Sequence, residues 1–364
     1  MSTLSKKVDD VRKPSAARAV TNPAVSLTVE AWPAADLSMS LLAVVHKAAR
    51  RSLEDGDMWR RRAAGLGDDY LATLDHYGKE VWINLLGLPF DRPDARTGSG
   101  FAVTVRSLSA ADLLRYLTGY YRRCFRRETP ADVMDAAMDG DPAARREFRR
   151  TSFADDIPWR DTLRHLLARD PDAIQDEFVG LVERWQQEVY SEVEGAFIDT
   201  ANRSLVAFRS ATEGLPLAQV VERAASGITF VPEAGQTEVV LLPSLAVRPL
   251  WAVTDHRAAN VFAFPAPIPN DARTSPPARL VALGKAIGDE TRLRILRELA
   301  SEPATPPDLA VRMGIPRTTL LHHLRILREA DLISVQVHDS AYHQYRVRDE
   351  HFGEIERLLE DYLG

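Results

Sequence analysis

Residues 315–333, near the C-terminus, space basic, hydroxyl and imidazole side chains at intervals that place them on one face of a helix. Arginine guanidinium groups fork onto guanine edges or pair with phosphate, hydroxyl groups bond bases or phosphates, and an exposed leucine packs on a thymine methyl. We name this set the reading face: Arg317, Thr318, Thr319, Leu321, His322 and Arg325. It predicts contact with DNA. The alternative is a solvated face on an ordinary helical hairpin.

The opposite face of the same segment is apolar and predicts burial, with Leu320, Leu324, Ile326 and Leu327 recurring at helical spacing. A second helix is predicted just before it. Thr305 supplies an N-cap acceptor, residues 306–307 are prolines that need no N–H partner, and the carboxylate of Asp308 suits the positive helix end. Gly314 then tolerates the backbone that ends this helix and lets the next one start after Pro316.

A two-stranded hairpin is predicted after the reading face. Apolar Val335, Val337, Tyr345 and Val347 alternate with polar residues on both sides of a polar turn. A hairpin in this position is a wing, and its basic residues would contact the phosphate backbone or the neighbouring groove. These residues are His338, His343, Arg346 and Arg348.

Two further helices are predicted upstream, in LVALGKAIGDETRLRILRELA, with a break at Gly288 and a restart at Asp289. With this order of elements, the stretch from about Arg279 to Leu363 resembles the ArsR family of bacterial winged-helix transcriptional repressors. GDETRLRIL matches the family's aspartate-x-threonine-arginine-leucine-x-isoleucine-leucine signature, TTLLHHLRILREADLI its serine/threonine-x-x-histidine-histidine-leucine recognition helix, and YHQYRV its wing. Pro316 and Leu321 stand where the family more often has serine, so base preference does not carry over.

The resemblance implies a homodimer that binds a palindromic operator on double-stranded DNA, with the first and last helices of the unit packed against the partner's. Paired recognition helices then read half-sites about one DNA turn apart. A monomer that buries the apolar stripe of the last helix in its own core is the alternative. The residues predicted at the dimer interface are Leu280, Leu283, Phe352, Ile355, Leu359 and Tyr362.

Neither a metal site nor a cofactor is predicted. The family's cysteine pairs are absent, because the single cysteine, Cys124, lies far outside the winged unit. Asp349 and His351 stand near the start of the last helix, but the second ligand pair that the family's metal site needs is missing. Surface polar residues at a helix start are the better interpretation.

Composition and charge limit the classes of protein to which the whole chain can belong. The formal net charge of −6 excludes a nonspecific DNA coater, so any basic surface must be local. Neither a membrane-spanning run nor a signal-peptide core is visible, which predicts a cytoplasmic protein. The predicted fold class is α+β and mostly helical. The predicted regions are a disordered tail (1–22), a helical domain with a small antiparallel sheet (23–264), a proline-rich linker (265–277) and a winged unit for DNA binding and dimerisation (278–364).

The sequence of the helical domain is compatible with a sensor and with the alternatives given below. No nucleophile elbow, phosphate loop or paired metal-binding histidines occur in it, which predicts that the protein is not an enzyme. Six tryptophans are expected in the core rather than in a pocket, and arginine pairs such as Arg122 and Arg123 suggest solvated faces or an anionic effector. The leading hypothesis is a sensor for a small-molecule or protein effector. The alternatives are an enzyme or protein-interaction domain with a winged helix reused for dimerisation or protein contact, and a structural spacer.

Overall fold

The computed structural model of the chain describes residues 25–50, 53, 55–152, 157–225, 228–232, 235–266, 278–336, 344–348 and 352–363. The predicted tail, most of the predicted linker and the wing residues His338 and His343 lie outside the described residues.

Helices build most of the helical domain, which confirms the mostly helical α+β fold. A π-helical turn, Gln186–Tyr190, joins α12 to α13. The helices are α1 (Pro33–Val45), α2 (Lys47–Arg50), α3 (Gly56–Gly65), α4 (Asp68–Asn84), α5 (Leu88–Asp91), α6 (Gly98–Ser107), α7 (Ala110–Leu117), α8 (Arg123–Glu128), α9 (Ala131–Met138), α10 (Pro142–Thr151), α11 (Ile157–Ala168), α12 (Pro171–Trp185), α13 (Ser191–Thr212) and α14 (Leu217–Ala224).

The small sheet is mixed rather than antiparallel, so the predicted strand direction was wrong. The strands of this region are β1 (Ser26–Val29), β2 (Ile228–Thr229), β3 (Glu238–Ser244), β4 (Ala252–His256) and β5 (Ala259–Pro265). Four of them form one sheet in the order β1-β3-β5-β4, in which β1 and β5 both run parallel to β3 and only β4 is antiparallel to β5. Strand β1, at the start of the helical domain, therefore pairs with β3, near the end of this domain.

Both faces of this sheet are covered. Val240 and Leu242 of β3 pack into a core made with α1, α4 and α12, whereas Val239 and Leu241 pack into a second core with α14 and the end of α13. Continuous apolar runs such as VVLL are typical of strands that are buried on both sides, which is also where parallel pairing occurs. The sheet therefore divides the helical domain into two apolar layers.

A buried carboxylate ties α1 to the end of β3. Asp36 accepts hydrogen bonds from the Ser244 hydroxyl at 2.6 Å and from the backbone N–H groups of Leu245 and Ala246 at 2.8 and 3.0 Å. The Tyr190 hydroxyl donates to its other oxygen at 3.2 Å. Burial raises the pKa of Asp36, although the hydrogen bonds by themselves would lower it. This network fixes the start of the segment between β3 and β4.

The winged unit has the predicted order of elements. It consists of α15 (Ala278–Ile287), α16 (Glu290–Ser301), α17 (Pro306–Met313), α18 (Arg317–Glu329), β6 (Ile333–Gln336), β7 (Gln344–Val347) and α19 (Glu354–Leu363). Strands β6 and β7 are antiparallel, as a wing requires. Strand β2 of the helical domain pairs in parallel with β6, at Ile228 opposite Val335, and so links the two parts of the chain.

None of the described helices combines the length and the apolar character that a membrane crossing requires.

Candidate nucleic-acid interface

The turn between α17 and α18 is built by the residues that the sequence singled out. Thr305 is the N-cap of α17, and its hydroxyl also donates to the Asp308 carboxylate at 2.6 Å. Gly314 ends α17 in the left-handed conformation, with a φ of +64°. Residues with a Cβ atom rarely adopt this conformation. Pro316 precedes α18 and provides no side-chain cap. The predicted N-cap at Thr305 and the predicted helix end at Gly314 are confirmed.

Helix α18 buries one face and leaves the other outside its own core. Leu320, Leu324 and Leu327 are buried in the core of the winged unit. Of the reading face, Arg317, Thr318, Thr319, Leu321 and His322 are exposed, and Arg325 is half-buried beside Glu329, with Nη1 2.8 Å from the carboxylate. The structure therefore brings the six reading-face residues together on one side of the helix.

The aspartate and arginine of the GDETR motif hold helices together. Asp289 caps α16 by accepting from the Arg292 N–H at 2.9 Å, and this hydrogen bond lowers the pKa of Asp289. The Arg292 guanidinium donates to the carbonyl oxygens of Lys285 and Ala286, at the end of α15. His323 of α18 lies 3.8 Å from Asp289, and burial lowers the pKa of its ring. The GDETR motif and His323 of the recognition helix thus orient α18 relative to α15 and α16.

The wing residues divide between surface and core. Arg346 is exposed on β7. Arg348 instead pairs with Asp331 at 2.8 Å, and both side chains are largely buried. Asp331 adopts a positive φ of +52° at the turn after α18. Arg348 therefore stabilises the base of the wing, and no local sequence pattern marks Asp331 as its partner.

The reading face is turned towards the helical domain. Thr318, Leu321, His322 and Arg325 form one wall of a cavity of about 920 Å³, which we name the interdomain cavity. Its other walls come from α1, α4, the start of α8 and the segment between β3 and β4, and include Leu42, Lys79, Glu80, Ile83, Arg122, Val247, Leu250 and Trp251. Sequence reasoning did not predict this arrangement.

Arg328 and Trp251 join the two parts at this cavity. The Arg328 guanidinium lies over the Trp251 ring, 5.1 Å from its centroid, a cation–π arrangement. Trp251 packs against the core of the winged unit and against the second core of the helical domain. The other five tryptophans are buried, as the sequence predicted for core residues. Arg122, from one of the predicted arginine pairs, is held by Glu80 and Asp255, each at 3.0 Å.

The residues predicted at a dimer interface lie in different places. Leu283 is buried in the core of the winged unit, and Leu280 and Ile355 are half-buried. Phe352, Leu359 and Tyr362 remain exposed, at 43%, 41% and 48%, although they are large apolar or aromatic side chains. An exposed stripe of this kind is available to a partner.

A second polar cluster lies in the helical domain, around Asp91. Its carboxylate accepts from the Tyr116 hydroxyl at 2.7 Å and lies 2.9 Å from Nε2 of His256. His256 is only 2% exposed, and its ring contacts the backbone at Gly87, where a Cβ atom would lie 2.1 Å from Nδ1. The cluster has acid–base groups, but its imidazole is enclosed by protein. Among the described residues no group of three or more carboxylate, thiol or imidazole side chains is arranged to hold a metal ion.

Residues 287–336 match the family model of a helix-turn-helix domain. Over 72 residues, 20% of this chain and 60% of the relative, the sequence is 35% identical to the HTH-type transcriptional regulator CmtR of Mycobacterium tuberculosis. Over 50 residues, 14% of this chain and 56% of the relative, it is 42% identical to the transcriptional repressor SdpR of Bacillus subtilis.

The chain spans at most 60% of the length of these curated relatives. No solved structure matches the chain with significant similarity. The resemblance of the C-terminal quarter to bacterial transcriptional regulators is confirmed, and it rests on the helix-turn-helix domain. The helical domain has no assigned relative in these comparisons.

Proposed function

We propose that the protein is a DNA-binding transcriptional regulator of the ArsR type, which represses from a palindromic operator as a homodimer in the cytoplasm. The observation that carries this proposal is α18. It follows a capped helix and a left-handed turn, buries Leu320, Leu324 and Leu327, and presents the reading face on the other side. Guanidinium, hydroxyl and imidazole groups on such a helix are suited to base edges and phosphates in a major groove.

One relative and one exposed surface support repression by a homodimer. A related protein of Bacillus subtilis is named a transcriptional repressor. The exposed stripe of Phe352, Leu359 and Tyr362 on and before α19 offers a self-complementary surface, which a two-fold axis would cover.

The helical domain is proposed to act as a sensor and not as an enzyme. In the acid–base cluster at Asp91 the imidazole of His256 is almost fully buried, so a substrate would have no access to it. The interdomain cavity, in contrast, joins this domain to the reading face. An effector that prefers one arrangement of the two parts would change the affinity for DNA.

The decisive experiment measures binding of the purified full chain to a duplex from its own upstream region and to a random duplex, by fluorescence anisotropy at 150 mM salt. We expect at least about a thousandfold preference for the upstream duplex, as specific binders show. The double variant Arg317→Ala and His322→Ala should lose most of this preference, because each base contact contributes about 1–3 kcal/mol.

A matched control removes charge elsewhere on the winged unit. Arg297 is exposed on α16 and does not belong to the reading face. The variant Arg297→Met should keep the preference for the upstream duplex. Equal binding of both duplexes by the unaltered chain would instead favour a winged helix that serves dimerisation or protein contact.

A further inference from the structure

The interdomain cavity has the size and lining of a ligand site. Its volume of about 920 Å³ lies within the range of small-molecule pockets, roughly 300–1,000 Å³. One side is apolar, with Leu42, Ile83, Val247 and Leu250 from the helical domain and Leu321 from α18. Such a lining holds the hydrocarbon or aromatic body of an organic molecule.

The polar part of the lining is basic. Five lysine and arginine side chains from the described residues line the cavity, against one carboxylate, Glu80. Four of the five have a carboxylate within salt-bridge distance: Lys47, Lys79, Arg122 and Arg325. The fifth is Arg328.

Arg328 supplies the unbalanced charge. In the described part of the chain its guanidinium has no ion pair, and its contact is the Trp251 ring. Burial lowers the pKa of this guanidinium, which reflects the cost of keeping its charge away from water. A half-buried cation without a carboxylate partner is stabilised by an anion that reaches it.

The same cavity places the helical domain opposite four residues of the reading face: Thr318, Leu321, His322 and Arg325. A helix that reads a B-DNA major groove, about 12 Å wide, lies between the two phosphate backbones of the duplex. A cavity of about 920 Å³ leaves no room for a duplex between α18 and the helical domain. The parallel pairing of β2 with β6 and the Arg328–Trp251 contact hold this arrangement. The described structure is therefore a closed form, in which α18 cannot lie in a groove.

We propose that the interdomain cavity binds an organic anion with an apolar body, and that the bound anion holds the winged unit in the closed form and so releases DNA. The proposal rests on the proposed function, since it names the regulation of the same reading face. The ligand contacts both parts of the chain only when they are together. It therefore favours the closed form, and by linkage it lowers the affinity for DNA.

The test uses two fluorescent probes that differ in charge. 8-Anilino-1-naphthalenesulfonate carries a sulfonate on an aromatic body, and N-phenyl-1-naphthylamine is its uncharged analogue. We expect the sulfonate to bind the full chain at least about tenfold more tightly than the analogue, because charge-assisted hydrogen bonds to Arg328 add to the apolar contact. At saturation it should weaken binding to the upstream duplex about tenfold.

Substitutions in the cavity distinguish binding of the probe at this site from nonspecific binding elsewhere on the protein. Arg328→Met keeps an apolar side chain of similar length but removes the charge, and it should weaken sulfonate binding about tenfold while leaving the analogue unaffected. The exposed Arg297→Met serves as its control and should change neither titration. Equal binding of the two probes, or no effect of Arg328→Met on the sulfonate, would overturn the ligand site.

Opening the closed form should raise DNA affinity without any ligand. Trp251→Ala removes the ring under Arg328, so a larger fraction of molecules has a free reading face and the apparent affinity for DNA rises several-fold. General damage would lower that affinity, which is the opposite sign. Leu250→Ala is a smaller truncation in the same wall and should act in the same direction if Trp251→Ala does not fold.

The two proposals fail in different ways. If the unaltered chain prefers its upstream duplex, but the cavity variants and the sulfonate leave that affinity unchanged, the closed-form mechanism is wrong and the proposed function stands. If neither the unaltered chain nor either opened variant distinguishes the upstream duplex from random DNA, the proposed function is wrong. The probe titrations then still test the ligand site by themselves.

Discussion

Asp91 lies at the centre of a polar cluster that combines a histidine, a tyrosine and an arginine from different elements. Burial alone would raise its pKa, but the His256 ring, the Tyr116 hydroxyl and the Arg257 guanidinium together lower it to about 2. The cluster joins α5 and α7 to the turn between β4 and β5. We therefore expect the ionised carboxylate to contribute to the stability of the helical domain.

The variant Asp91→Asn tests this contribution. The folded pKa of about 2 lies below the ordinary value of 3.8, so the stabilisation is present above about pH 4 and is lost as the pH falls through about 2. At pH 7 the variant should lose about 2 kcal/mol of unfolding free energy, and its difference from the unaltered chain should shrink towards pH 2. Urea unfolding at pH 7, 4 and 2.5 measures both quantities.

Asp94→Asn is the matched control, because Asp94 is an exposed carboxylate three residues further along the chain. Its effect should be within about 0.5 kcal/mol at every pH, as for most surface substitutions. A constant deficit of Asp91→Asn from pH 7 to pH 2.5 would show that packing and not ionisation is lost.

At the scale of single elements, the helix pair α17–α18 is determined by local residue types. The N-cap threonine, the two prolines and the terminal glycine act within a few residues of each other, and the structure has each in its expected place. The sheet of the helical domain could not be predicted in the same way. Apolar runs such as VVLL mark a strand that is covered on both faces, but the direction of its neighbours depends on distant segments.

Two glycines of the winged unit, Gly314 and Gly284, should respond to alanine substitution with opposite changes in stability. An added Cβ meets no atom within 4 Å at either position, but Gly314 has a φ of +64° and Gly284 lies inside α15. Gly314→Ala should destabilise the winged unit by about 1 kcal/mol through backbone strain. Gly284→Ala should stabilise it by roughly 0.5–1 kcal/mol, since alanine loses less backbone freedom in a helix.

Amide hydrogen exchange of the buried leucines of α18 reports the stability of this unit directly. The two variants should shift the exchange rates in opposite directions. Equal slowing in both would mean that the left-handed conformation at position 314 is not populated in solution.

At the scale of the whole molecule, the contacts that place the reading face are the ones that sequence patterns could not reveal. Ile228 pairs with Val335, and Arg328 lies over Trp251, although each pair is far apart in the chain. A short strand and a lone tryptophan carry no local signal of their partner. The helices and strands of the winged unit could therefore be predicted from the sequence. Its position against the helical domain could not.

The dimer is the remaining property at this scale, and it can be tested at the exposed stripe of the last helix. Leu359 is 41% exposed on α19, and Phe352 and Tyr362 flank it on the same unit. Leu359→Glu would place a carboxylate at the centre of the proposed interface, where an uncompensated charge is costly to bury. We expect the dimer dissociation constant of this variant, measured by sedimentation equilibrium, to be at least about tenfold higher than that of the unaltered chain.

The matched control introduces the same charge on an exposed apolar residue outside the stripe. Val206 is 71% exposed on α13, so Val206→Glu should leave the association constant unchanged. On DNA, Leu359→Glu should remove the advantage of a duplex with two half-sites over a duplex with one, because symmetric binding couples the two recognition helices. A monomeric unaltered chain at micromolar concentration would refute the dimer, and DNA recognition would then have to come from a single copy of α18.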